Sequence, residues 1–124
     1  MFKLKRAYEK PSPDDGFRIL VDRRWPCRVF KKDAKIDLWM KDIAPSEDLF
    51  VWFNRDPSKW DEFRRRYWNE LQNKDDLIDY LEEKGATGTV TLVYRAKDTR
   101  FNNARALLQF LEQRERYRQW REAA

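Results

Sequence analysis

The chain has no histidine and only one cysteine among its 124 residues. Without an imidazole it has no histidine general base, no Ser-His-Asp or Cys-His nucleophile pair, and no His-ligated zinc or iron. Any chemistry must run on Asp, Glu, Lys, Arg, Tyr, Cys or a bound hard cation. A lone Cys27 closes no internal disulfide, which agrees with a reducing compartment. Long apolar runs are also missing. Ile19-Leu20-Val21 and Leu49-Phe50-Val51-Trp52-Phe53 are far shorter than the roughly 20 residues of a membrane-spanning helix. No apolar stretch or small-residue cleavage site follows Met1-Phe2-Lys3-Leu4-Lys5-Arg6, so the expected location is cytoplasmic, with no membrane contact.

What is present suits one packed core. Hydrophobic residues make up 41% of the chain and aromatics 15%, enough for a single domain of this length despite 40% charged residues and a mean hydropathy of -1.00. Twenty-seven Lys and Arg against 22 Asp and Glu give a net charge of +5, and the pI is near 9.4. That balance favours anionic partners, although acidic residues are interleaved throughout.

Phe2 to Tyr8 alternates weakly and reads as a short edge strand. Lys10-Pro11-Ser12-Pro13-Asp14-Asp15-Gly16 is a turn-rich loop in which Asp14 and Asp15 need no explanation beyond turn chemistry. Phe17-Arg18-Ile19-Leu20-Val21 reads as a core strand, ended by Asp22-Arg23-Arg24-Trp25-Pro26. From Asp33 onward, Ile36, Trp39, Met40 and Ile43 fall at helical spacing, which predicts one buried stripe ending before Pro45. Ser46 is placed to cap a short helix carrying Leu49, Trp52 and Phe53. Asp56-Pro57 starts the next helix, with Trp60, Phe63, Tyr67 and Leu71 inward. A fourth helix starts at Asp75, and Gly85 is its expected C-cap. Thr89 to Tyr94 is the second convincing strand, and a last helix begins near Asp98 and runs into the charged tail.

The long helical connection between the two good strands predicts that they are parallel. The expected fold is therefore α/β: a small, mostly parallel sheet of about three strands covered by helices, in a single domain. That domain is expected over residues 1–112, with 113–124 a charged helical extension. Ligands of such sheets bind beyond the carboxyl ends of the strands.

Several residue groups, in order and spacing up to about Glu112, resemble the YeaO-like proteins, a branch of domain of unknown function 488. They are Pro11-Ser12-Pro13-Asp14-Asp15-Gly16, Val21-Asp22-Arg23-Arg24-Trp25-Pro26, Ala44-Pro45-Ser46, Trp52-Phe53, Asp56-Pro57, Tyr94-Arg95-Ala96-Lys97-Asp98 and Asn102-Asn103-Ala104. The resemblance implies a compact cytoplasmic prokaryotic α/β protein and carries no reaction with it. The chain departs from the family pattern at Cys27-Arg28, where Arg-Gly is usual, and at Asn54 and Phe101, where histidine is common.

Three kinds of site remain candidates. The first is an anion, phosphate or nucleotide pocket at the strand ends, built from Arg23, Arg24, Trp25, Arg95, Lys97, Asn102 and Asn103 beside the start of the last helix. Asp22, Asp98 and Cys27 are its candidates for catalysis, with Asp22 and Asp98 also able to contact a cation. The second is an RNA or single-strand surface using Arg64, Arg65, Arg66 and Tyr67, or Arg116 and Arg118 in the tail. Spacing argues for a solvated face instead, because Asp61 and Glu62 lie four residues before Arg65 and Arg66. The third is an interaction or structural module whose charged cluster only ties loops together. No metal-ligating set or cofactor motif is identified, and both monomer and homodimer stay open.

Overall fold

Strand residues that alternate between two apolar faces need cover on both, and this chain supplies it unequally. A computed structural model describes residues 1–123. Strands β1 (Phe2–Arg6), β2 (Phe17–Leu20), β3 (Leu38–Trp39) and β4 (Val90–Tyr94) form one sheet in the order β1-β4-β2-β3, with every pair parallel. The expected parallel neighbours, β2 and β4, pair from Phe17 with Val90 to Leu20 with Val93. The sheet has four strands where about three were expected.

Helices α1 (Lys31–Ala34), α2 (Glu47–Phe53), α3 (Trp60–Leu71), α4 (Asp75–Thr87) and α5 (Asn103–Ala123) complete the fold. Ile19 and Val21, with Val90, Leu92 and Tyr94, point to one face. There they meet Phe53 of α2, Phe63 and Tyr67 of α3, Ile78 and Leu81 of α4, and Leu107 of α5. The other face buries Leu20, Val93 and Ala7 under Trp25, Ile36 and Trp39. The four longer helices thus cover one side, and the 25–39 segment covers the other.

That division explains the main departure from the sequence reading. The expected helical stripe of Ile36, Trp39, Met40 and Ile43 is split between the two clusters: Ile36 and Trp39 lie on one side, Met40 and Ile43 on the other. A helix sends such a stripe to one side only. The chain instead stops α1 at Ala34, with Lys35 left-handed at φ 53°, then lays Leu38 and Trp39 beside Ile19 and Leu20. A short 3-10 turn over Lys41–Ile43 follows.

Local start signals work as expected. Ser46 Oγ accepts from the Leu49 N–H at 3.2 Å, and Asp56 Oδ1 accepts from the Ser58 N–H at 3.0 Å. Gly85 is no C-cap. It lies inside α4, where a Cβ would come 2.5 Å from Cζ of Phe2, so the packing of β1 against α4 needs glycine there. The last helix starts at Asn103 rather than near Asp98.

The amino end of the sheet holds a buried polar network. Arg18 on β2 pairs with Asp15 at 2.6 Å and donates to the Ala34 carbonyl at 2.8 Å, while Lys5 reaches Asp15 at 3.1 Å. Burial opposes ionisation of Asp15. Hydrogen bonds from the Ser12 N–H, Lys5 and Arg18 nevertheless hold its carboxyl below its ordinary value. Every polar end of Arg18 finds an acceptor, as a buried guanidinium requires.

Candidate functional site

At the opposite end, the residues that follow the strands are knitted to one another. Asp22, just past β2, is buried; its Oδ2 accepts the Arg95 main-chain N–H at 2.7 Å and its carbonyl accepts Trp39 Nε1 at 2.7 Å. One aspartate thus links the carboxyl ends of β2, β3 and β4. Burial raises its carboxyl above the ordinary value, against the opposing pull of the Arg95 N–H, the Arg95 charge and the Asn103 amide.

Most of the other expected anion ligands are used by the fold. Arg23 donates through Nη2 to the carbonyls of Pro45 at 3.2 Å and Ala44 at 3.4 Å. The same loop is held from α3 and just beyond it. Tyr67 Oη donates to the Ile43 carbonyl at 2.6 Å, Lys74 Nζ donates to the Ala44 carbonyl at 3.0 Å, and Glu70 accepts from the Ser46 N–H at 2.8 Å. Arg24 is exposed and pairs with Glu47 at 3.1 Å. Trp25 donates to the Val29 carbonyl at 2.6 Å and stands edge-on to Trp39 at 5.5 Å, so it packs on the small-cluster side of the sheet.

The start of α5 is capped by its own neighbours. Asn102 Oδ1 accepts the Arg105 N–H at 2.7 Å, and its amide donates to the Asp98 carbonyl at 2.9 Å. Asn103 donates to the Val21 carbonyl at 3.1 Å. Asp98 Oδ1 accepts the N–H groups of Arg100 at 2.8 Å and Phe101 at 3.1 Å, shaping the turn that precedes the helix. Lys97 is exposed, as is Cys27, which lines none of the cavities described below.

Arg95 borders the larger cavity at this end of the sheet. Its Nε is buried and has no hydrogen-bond partner among the described residues. Its side chain lines a cavity of about 190 Å³ between α2 and the start of α5. Asp22 shares the polar wall; Phe50, Phe53, Phe63 and Phe101 supply apolar walls. A second space of about 20 Å³, room for about one water molecule, shares Asp22, Phe50 and Arg95 and adds Arg23, whose Nε is likewise buried without a partner. Asn54 and Arg55, consecutive and both left-handed at φ 45° and 55°, line the first cavity. Asn54 is the left-handed C-cap of α2, ordinary for asparagine, whereas the same conformation at Arg55 costs roughly 1–2 kcal/mol.

Larger spaces lie elsewhere. Grooves of about 750 and 500 Å³ flank the C-terminal half of α5, but they are open, and Arg114 and Arg118 on their walls are already paired with Glu82 at 3.0 and 3.1 Å. They offer little enclosure to a small molecule.

The arginine-rich α3 is mostly self-paired. Glu62 holds Arg65 at 2.6 Å and Arg66 at 2.8 Å, and their hydrogen bonds pull its carboxyl down to about 2. Arg64 donates to Gln109 at 3.1 Å and lies 5.5 Å from the Trp68 ring centre. Tyr67, counted with these arginines as a stacking residue, is fully buried in the core and presents no ring face to a base. In the tail, Arg118 pairs with Glu115 as well as Glu82, and Arg116 is exposed. Among the described residues no three His, Cys, Asp or Glu side chains cluster as metal ligands, and no helix is long and apolar enough to cross a membrane.

The sequence did not point to Phe50, Phe53, Phe63 and Phe101 as walls of a site. Each sits at helical or turn spacing that reads as core, and only the start of α5 brings Phe101 opposite α2. Arg18 was hidden inside a strand run.

Comparison with known proteins adds relatives to this geometry. The family model described as "Inactive DUF488-N3 subclade" matches residues 1–124. An uncharacterised protein of Mycobacterium tuberculosis (strain ATCC 25618 / H37Rv) is 38% identical over 112 residues, covering 90% of this chain and 94% of that protein. The uncharacterised protein YeaO of Escherichia coli (strain K12) is 36% identical over 109 residues, covering 88% and 95%. No solved structure matches the chain significantly.

Proposed function

We propose that this chain, which belongs to the inactive DUF488-N3 subclade, is a binding protein whose cavity beyond β2 and β4 takes a small anion on Arg95. The observation that carries this reading is the Arg95 side chain on the wall of that cavity, its Nε buried behind the wall without a partner among the described residues. A guanidinium on the wall of an otherwise largely apolar cavity is a charge-assisted donor that an anion matches. Position agrees, since parallel α/β sheets bind ligands beyond their strand ends.

Binding without catalysis fits the family's description as inactive and a chain with no histidine. A volume of about 190 Å³ also narrows the ligand: sites for drug-sized molecules run from about 300 Å³ upward, so a nucleotide does not fit within it. The scaffold reading keeps some support, because Arg23, Asn102 and Asn103 all serve the fold. The two are separated by amide NMR titration of the full chain with acetate, benzoate and inorganic phosphate. The binding reading expects saturable shifts at Arg95, Ala96 and Asn102 that disappear in Arg95→Gln. If none of the anions shifts these amides, the cluster is scaffold only.

A further inference from the structure

The walls of the same cavity say more about what it holds. About 190 Å³ is slightly larger than the roughly 150 Å³ cavity that accepts a benzene ring, so one ring with one small substituent fills it. The apolar walls are rings. Phe53 and Phe63 are stacked at 4.2 Å, and Phe101 stands edge-on to Trp60 at 5.5 Å. Aromatic walls of this kind favour a flat ring over an aliphatic chain through stacked and edge-on contact. At the mouth, Phe50 is 42% exposed and Val51 64%, an apolar lip on α2 that has no cover in the free protein.

Charge decides the substituent. The cavity wall carries Asp22 and the Arg95 guanidinium, with Arg55 beside them. Arg23 is near but already donates to two carbonyls. Asp22 against Arg55 and Arg95 leaves the wall one positive charge, which a monoanion balances and a doubly charged phosphate exceeds. A monoanion with planar, forked oxygens matches a guanidinium in both charge and shape.

We infer that the ligand is a single planar ring carrying one carboxylate, its ring against Phe53, Phe63 and Phe101 and its carboxylate on Arg95; this rests on the anion-binding reading above. The test is amide NMR titration of the full chain with benzoate, alongside acetate, inorganic phosphate and benzyl alcohol. Benzoate binds at least about tenfold tighter than each of the others, and Arg95→Gln weakens it by about tenfold or more. Phe101→Ala weakens benzoate without weakening acetate. Should Arg95→Gln lose its dispersed spectrum, Arg95→Lys replaces it, and loss of the forked contact alone still lowers benzoate affinity. Acetate or phosphate matching benzoate overturns the ring carboxylate and leaves the anion reading intact. Benzyl alcohol matching benzoate removes the carboxylate from the argument and the anion reading with it. Silence with all four probes removes both.

Discussion

Asp22 accepts the main-chain N–H of Arg95 at 2.7 Å, which fastens the end of β2 to the end of β4 across 73 residues of sequence. The contact positions the Arg95 backbone, while the Arg95 side chain has a buried Nε with no partner among the described residues. Asp22 thus supports the Arg95 main chain and leaves the Arg95 side chain to line the cavity.

Burial raises the Asp22 carboxyl, so the folded protein binds that proton more tightly than the unfolded chain does. The sign follows: stability from this group is full below the unfolded carboxyl range of about 4 and falls as pH climbs through the raised value. Asp22→Asn keeps an oxygen for the Arg95 N–H and removes that fall, so its Tm at pH 7 equals or exceeds the parent's. Asp22→Ala leaves the N–H unpaired and loses about 1–3 kcal/mol. Equal losses in the two variants, measured by urea unfolding from pH 4 to 8, would falsify this account.

Asp15 has the opposite sign. Its carboxyl is held low by Ser12, Lys5 and Arg18, so its stabilisation is present above about pH 4 and is lost as pH falls through the depressed value. Asp15→Asn strands a buried Arg18 and costs about 3–5 kcal/mol at pH 7. Its acid-unfolding limb becomes shallower than the parent's. An unchanged limb followed by circular dichroism contradicts the assignment.

Gly85→Ala separates propensity from packing. In an isolated helix the change gains about 1 kcal/mol. Here the new Cβ meets the Phe2 ring, and the expected result is a loss of about 1–3 kcal/mol. Phe2→Leu recovers part of that loss in the double variant; a stabilised single variant shows that β1 yields freely.

Tyr67→Phe removes the donor to the Ile43 carbonyl and costs about 1–3 kcal/mol. Burial pushes the Tyr67 hydroxyl well above its ordinary value. Spectroscopic alkaline titration should therefore show this ring ionising only as the protein unfolds. Reversible ionisation of every tyrosine in the folded protein would refute its burial.

Glu62 reports on the α3 arginines. With Arg65 and Arg66 both on its carboxylate, it titrates near pH 2 by carboxyl-detected NMR. A midpoint in the ordinary range would mean these arginines are free, and a nucleic-acid surface on α3 would gain support.

Residues 17–21 and 89–94 declare themselves as strands because apolar, β-branched runs of that length suit little else. The length of chain between them makes their pairing parallel, and Ser46 and Asp56-Pro57 announce their helices through local hydrogen bonds. All of this is decided within a few residues or by chain length, which is why it can be read without coordinates. The stripe from Ile36 to Ile43 misleads because apolar spacing alone does not say whether its members face one core or two.

The candidate site shows the same boundary. Its place beyond the strand ends, and the presence there of Asp22, Arg23, Arg95 and Asn102, followed from the sequence together with the rule for parallel sheets. Which arginine turns to main-chain carbonyls and which lines the larger cavity did not. Arg23 turns its Nη2 to carbonyls 21 and 22 residues away on a loop held by α3, whereas Arg95 lines the larger cavity between α2 and the start of α5. A donor's partner is whatever acceptor the folded chain brings within about 3 Å, and only tertiary packing decides that.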